Sequence, residues 1–149
     1  MLTSSAGVPA EPPVRIVGFV AATRECIFCR IVGGVDSAHE VMRDDIVVAF
    51  LDRSPLFPGH TLVIPRRHVV TLPEMGADEI GPFLERVQRV AGVMSVALGA
   101  EGTFIANNNV VSQSVAHLHV HVVPRRRGDG LRGFFWPRQR YADGEAAHV

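Results

Sequence analysis

The chain has 149 residues, 47% of them apolar, and its fifteen basic and fifteen acidic side chains cancel. That size and apolar fraction imply one domain with a real core and exclude a disordered chain. A neutral chain offers no overall field for nucleic acid or anionic membrane, and because every basic residue is arginine, Schiff-base and Walker-type lysine chemistry is excluded.

Residues 1–24 read as an N-terminal extension, rich in small residues and proline up to Pro13 and expected to be mobile. The apolar run Ile16 to Ala22 is interrupted by Gly18 and falls well short of the ~18 residues of a membrane helix. No basic segment precedes it, so no export signal is expected and a reducing cytoplasm follows. Cys26 to Val32 reads as a short helix stopped at Gly33-Gly34. Glu40 to Arg43 and Ile46 to Leu51 read as strands around an Asp44-Asp45 turn, and His60 to Pro65 as a third strand. Asp78 to Leu98 reads as the one long helix. Asp78 is its expected cap, Pro82 is expected near the first turn, and Gly99 is the stop. Ile80, Phe83, Leu84, Val87, Val90, Ala91, Met94 and Leu98 form its expected buried stripe. Thr103 to Asn107 and Val115 to Pro124 complete the strands. The order predicts an α+β fold with a mostly antiparallel sheet over residues 25–127. Residues 128–149 form a tail carrying Phe134, Phe135 and Trp136.

His117-Leu118-His119-Val120-His121 is the sharpest chemical feature. On a strand, alternate residues share a face, so the three imidazoles should point one way about 6.5–7 Å apart while Leu118, Val120 and Val122 pack inward. A polar solvent face explains one such histidine easily and three poorly. Metal binding and phosphoryl-type chemistry both fit. Cys26 and Cys29 form one C-x-x-C, open to metal binding, a redox pair or two buried thiols.

H-x-H-x-H after Gln113-Ser114 resembles the histidine triad (HIT) family of nucleotide hydrolases and transferases. Cys26-Ile27-Phe28-Cys29-Arg30-Ile31, Ala49-Phe50-Leu51-Asp52, Pro58 to Pro65 and Arg67-His68 are similar to segments of that family. The resemblance implies a HIT-like fold with a five-stranded sheet, one long helix and one short helix. It also implies displacement at a nucleotide's α-phosphorus, with His119 as nucleophile and a covalent nucleotidyl-histidine. His117, His121 and His60 join it as catalytic candidates, His121 and His60 for phosphate and leaving-group contacts. Gln113, Ser114 and Asn107 are implied around the phosphate, Asp52 at the ribose, and Ile27, Phe28, Ile31 and Phe50 around the base. Asp52 is also a natural turn residue, and the apolar four are equally natural core.

Cys26, Cys29, His68 and His117 resemble a structural zinc site found in part of the family, and the reaction so drawn needs no catalytic metal. The loop Asn108 to Ser112 departs from the family's glycine-rich pattern, with Ser112 where glycine is common; Asn108 and Asn109 can adopt left-handed conformations, which keeps part of the turn. The resemblance implies purine nucleoside phosphoramidates as substrates, through the Hint-type branch. Dinucleoside polyphosphates, or nucleotide binding with little turnover, are the alternatives. It further implies a homodimer, with the aromatic tail packed on the fold or across the interface. Arg125-Arg126-Arg127 and Arg66-Arg67 read as solvated faces, and His39 and His148 as exposed histidines.

Overall fold

A computed structural model describes residues 26–131. The N-terminal extension, the aromatic tail and His148 lie outside the described residues. The elements are α1 (Ile27–Val32), β1 (Glu40–Arg43), β2 (Val47–Leu51), β3 (Thr61–Pro65), a 3-10 turn (Leu72–Glu74), α2 (Ala77–Leu98), β4 (Gly102–Asn107) and β5 (Val120–Arg125). The five strands form one antiparallel sheet in the order β1-β2-β3-β5-β4. Architecture and element order are those expected from the sequence. At the β1–β2 turn, the Asp44 carboxylate accepts the N–H groups of Ile46 and Val47 at 2.9 Å each. Arg86 of α2 pairs with the same carboxylate at 2.9 Å, pinning the helix to the turn.

The period-two pattern of the strands sorts the core into two layers. Val47, Ala49, Val63, Val120 and Val122, with Leu118, pack against Phe83, Val87, Val90 and Met94 of α2. Val48, Phe50, Leu62 and Ile64 face the other way and pack on Phe28 and Ile31 of α1. Burying each such side chain stabilises the fold by about 1.5–3 kcal/mol. One sheet face thus belongs to the long helix, and the opposite face belongs to the short helix and the histidines.

Four local expectations are corrected. The cap of α2 is Gly76, whose N–H is accepted by Glu79 at 3.0 Å; Asp78 lies inside the first turn, where its charge still suits the helix dipole. Pro82 is therefore the sixth helical residue, and its missing N–H leaves the Asp78 carbonyl without the usual ladder partner. Leu84 and Leu98 are exposed: Leu84 sits about 100° around the helix from Phe83, and Leu98 is the last residue of the helix. The triad strand is shorter than Val115 to Pro124, since the ladder begins only at Val120. Before it, Leu118 N–H bonds the Val69 carbonyl, while the His117 and His119 carbonyls are taken by side chains. Gly99 closes α2 at φ +63°, a conformation that a Cβ disfavours.

Candidate functional site

The three histidines do share a side, but not as three rungs of one ladder. His117 and His119 precede β5 and only His121 lies on it. Their rings form a row: His119 is 5.1 Å from His121 and 5.4 Å from Phe28, and Phe28 is 5.9 Å from His117. His117 and His119 are buried at 0% and 1% exposure, and of the three only His121 is partly open to solvent. The α1 residue Phe28 covers the first two rings.

Hydrogen bonds fix which nitrogen of each ring is free. A carbonyl only accepts, so His119 Nδ1 carries the proton that meets the His117 carbonyl at 2.7 Å. Its Nε2 lone pair has no partner among the described residues. Leu56 N–H donates to His60 Nδ1 at 3.2 Å, which puts the His60 proton on Nε2, 2.9 Å from His121 Nδ1. His121 therefore carries its own proton on Nε2. A free lone pair and an N–H donor sit on adjacent rings. Burial, then the neighbouring His119 and His60 rings, push His121 down to about 4, and burial also lowers His60 against the opposing Asp52 carboxylate. Asn107 donates to the His119 carbonyl at 2.9 Å, holding the backbone between the two rings, and its own Oδ1 is buried without a partner among the described residues.

The second histidine environment is a compact cage. Cys26 and Cys29 Sγ and one ring nitrogen each of His68 and His117 all lie within 4.8 Å of one another. Cys29 Sγ is 3.1 Å from His68 Nδ1 and 3.5 Å from His117 Nδ1; Cys26 Sγ is 3.6 Å from His117 Nδ1. A tetrahedral zinc with bonds of about 2.3 Å to sulfur and 2.0–2.1 Å to nitrogen spaces such atoms about 3.5 Å apart, so the donor set fits. His117 Nε2–H donates to the Pro65 carbonyl at 2.9 Å, which leaves Nδ1 free to face the thiols, as a metal-bound histidine requires. Burial, reinforced by Cys26, pushes the Cys29 thiol up to about 12, and burial lowers His117 to about 4. These four residues could hold one ion. Asp52, His60 and His121 also cluster within 4.8 Å, but the two rings are already bonded to each other, which makes this a hydrogen-bond set.

Between α1 and the sheet opens a cavity of about 710 Å³. Ile27, Phe28, Ile31, Phe50 and Leu62 make its apolar wall, while Asp52, Ser114 and His121 supply polar groups. The volume and the mixed lining suit a small ligand with an apolar body and a charged end. Phe50, Leu62 and His121 lie side by side across β2, β3 and β5, so strand register alone aligns floor and imidazole. Asp52 accepts Ser54 N–H at 2.8 Å and approaches His60 Nδ1 at 3.6 Å, joining its turn role to the site.

The HIT domain family model matches residues 34–128. The chain belongs to the HIT domain family. This HIT protein is 44% identical over 107 residues to a HIT-like protein of Methanocaldococcus jannaschii, spanning 70% of this chain and 82% of that one. It is 32% identical over 114 residues to the adenosine 5'-monophosphoramidase of Schizosaccharomyces pombe, spanning 75% and 83%. Its structure is similar to that of a zinc-bound histidine triad family protein from Mycobacterium smegmatis, with a TM-score of 0.70 and 35% identity over 85% of this chain and 90% of that one.

Not every residue singled out in the HIT protein's sequence reaches the cavity. Gln113 is committed to its loop: Nε2 donates to the Val70 carbonyl at 2.6 Å and Oε1 accepts Val110 N–H at 2.8 Å. Asn107 and His119 are outside the cavity lining. The left-handed residues of the loop are Val110 and Ser112, at φ 66° and 61°, rather than Asn108 and Asn109. Asn109 instead spends its side-chain oxygen on Leu72 N–H at 2.9 Å. Conversely, Ser37, Ala38, His39, Arg53, Ser54 and Val115 line the cavity and carried no sequence signal of their own. His39 is exposed, as expected, yet borders the site. Leu62 was legible in principle, because alternation puts it on the face of Ile64.

Proposed function

We propose that this HIT protein transfers a nucleotidyl group from a nucleoside phosphoramidate through a covalent His119 intermediate to water. The observation that carries this reading is the tautomer pattern: His119 presents an unprotonated Nε2 beside the Nε2–H of His121. In the first step the His119 Nε2–phosphorus bond forms as the bond from phosphorus to the leaving nitrogen breaks, the nitrogen departing with a proton taken up from solvent, while the neutral His121 Nε2–H donates to a phosphate oxygen. In the second step water attacks phosphorus, the bond to His119 Nε2 breaks, and the proton that water loses passes to solvent, balancing the one taken up in the first step. An imidazole is a good nucleophile and a good leaving group, so one hard displacement becomes two easier ones. The name of the S. pombe relative, an adenosine 5'-monophosphoramidase, supports the substrate class. The apolar wall would take the base and Asp52 the ribose hydroxyls.

The cage would bind zinc structurally. Four protein ligands close the coordination sphere against substrate, and the ion would fix α1 to the segment that carries His117 and His119. Thiolate ligands suit a reducing compartment, in keeping with a cytoplasmic location. A homodimer is favoured by β4, an edge strand of the sheet among the described residues, where Ile105 is exposed, and by exposed Val93 and Val96 on α2.

The second reading, nucleotide binding with little turnover, is favoured by the 1% exposure of His119. Turnover of adenosine 5'-phosphoramidate by the wild type and by His119→Gly separates the two. The catalytic reading expects a loss of at least about a thousandfold in the variant. Equal rates in both proteins would remove His119 from the mechanism.

A further inference from the structure

One cation stands apart among the described residues. Every other guanidinium has an assigned partner. Arg30, Arg43, Arg67, Arg86, Arg89, Arg125 and Arg127 pair with carboxylates, and Arg66 and Arg126 donate to backbone carbonyls. Arg53 has neither a hydrogen bond nor an ion pair among the described residues, and it lines the cavity next to Asp52. In the other large cleft among the described residues, about 590 Å³ beside Arg125 to Leu131, each cation has a partner: Asp129 and the Leu131 carbonyl hold Arg125, the Leu98 carbonyl holds Arg126, and Glu101 faces Arg127.

An unpaired guanidinium on the wall of a formed cavity is a ready oxyanion receptor. Its five donors lie in a fixed fork that matches phosphate or sulfate, and binding an anion breaks no existing protein contact. His39 and Ser54 line the same cavity and can add donors. His121 already faces the cavity as the donor for the reacting phosphate, so Arg53 is surplus to a ligand with one anionic group. We propose that Arg53 binds a second oxyanion of the substrate, making it a specificity-determining residue for nucleotides that carry a phosphate or sulfate besides the reacting one. The inference rests on the nucleotide reading given above and narrows its substrate class. Two sources share the chemistry: a group attached beyond the α-phosphorus, or one on the ribose.

Calorimetric affinities of AMP, ADP and adenosine 3',5'-bisphosphate at fixed salt test this in wild type, Arg53→Gln and Arg89→Gln. The expected result is that wild type binds one of the two bisphosphorylated ligands about tenfold or more tighter than AMP, the range of a charge-assisted contact. Preference for ADP assigns the second oxyanion to the leaving-group side, and preference for the 3',5' ligand assigns it to the ribose. Arg53→Gln should bring that ratio to within about twofold, while Arg89→Gln, which removes the same charge from α2, keeps it. Equal affinities in wild type, a preference that survives Arg53→Gln, or one that Arg89→Gln also erases would each overturn the proposal while AMP binding upholds the nucleotide site. Failure of AMP itself to bind wild type would overturn the nucleotide reading and this inference together.

Discussion

The two faces of the sheet use one sequence segment for opposite ends. Leu118, Val120 and Val122 enter a dry layer against α2, and the interleaved His117, His119 and His121 enter a polar layer against α1. On the α2 side each residue is interchangeable in principle with another apolar residue of the same volume. On the α1 side each imidazole has its own partner: the thiols, the His117 carbonyl, and His60. Stability on the first face is set by volume. On the second it is set by whether each polar atom meets the right neighbour, because a buried polar atom without one is costly.

The comparison breaks most visibly at the cage. Replacing Cys26 and Cys29 together by serine should abolish zinc binding, measured by metal analysis, and lower stability by roughly 4 kcal/mol or more, a fall in melting temperature above about 15 °C. Unchanged stability with no metal in either protein would reduce the cage to two half-buried thiols. On the opposite face, Phe83→Ala should cost about 3–5 kcal/mol by chemical denaturation, through lost burial and a residual cavity. The folded fraction should keep its AMP affinity, since Phe83 touches only the α2 layer. A matching loss of affinity would show that the two faces are not separable.

Acid sharpens the contrast, because the histidines whose proton affinity burial lowers stand on the α1 face. His121 is pushed from 6.5 down to about 4 in the folded protein, and His60 is also lowered, so the unfolded chain binds protons first. The stability that their neutral forms contribute is whole above about pH 6.5 and is lost as pH falls through 6.5 toward about 4. His121 alone should account for on the order of 2 kcal/mol after allowance for its partial exposure. Melting temperatures of wild type and His121→Asn across that range should converge as pH falls; parallel curves would refute the assignment. The smallest effect is expected in the loop. Ser112→Gly relieves a left-handed residue and should stabilise by up to about 1 kcal/mol, read as a higher denaturation midpoint. A lower midpoint would mean that the serine is doing something the backbone does not reveal.

The α2 face was the more legible in the sequence. Alternation in β2, β3 and β5 and the three-and-four spacing of Phe83, Val87, Val90 and Met94 are local periodic signals, and local signals survive folding. The C-x-x-C and the triad marked the α1 face, but its details lie in contacts across long sequence distances. Leu118 pairs its N–H with Val69, forty-nine positions away, and so leaves the expected strand. Gln113 finds the Val70 carbonyl, and His117 the Pro65 carbonyl, and no side-chain pattern announces a backbone acceptor. Val110 and Ser112 take the left-handed turns because Asn109 and Gln113 use their side chains as struts. Arg53 is one arginine of fifteen by composition, and only the pairing of the others sets it apart.

The covalent step is the claim on which the functional reading turns. Mixing the protein with excess adenosine 5'-phosphoramidate, quenching within the first turnovers and mapping the peptides by mass spectrometry at neutral to basic pH, where phosphoimidazoles persist, tests it directly. The account predicts an adenylyl adduct on the peptide that contains residues 117–121, assigned by fragmentation to His119 and absent from His119→Gly. Steady turnover with no adduct at any quench time, or an adduct on His121, would contradict it.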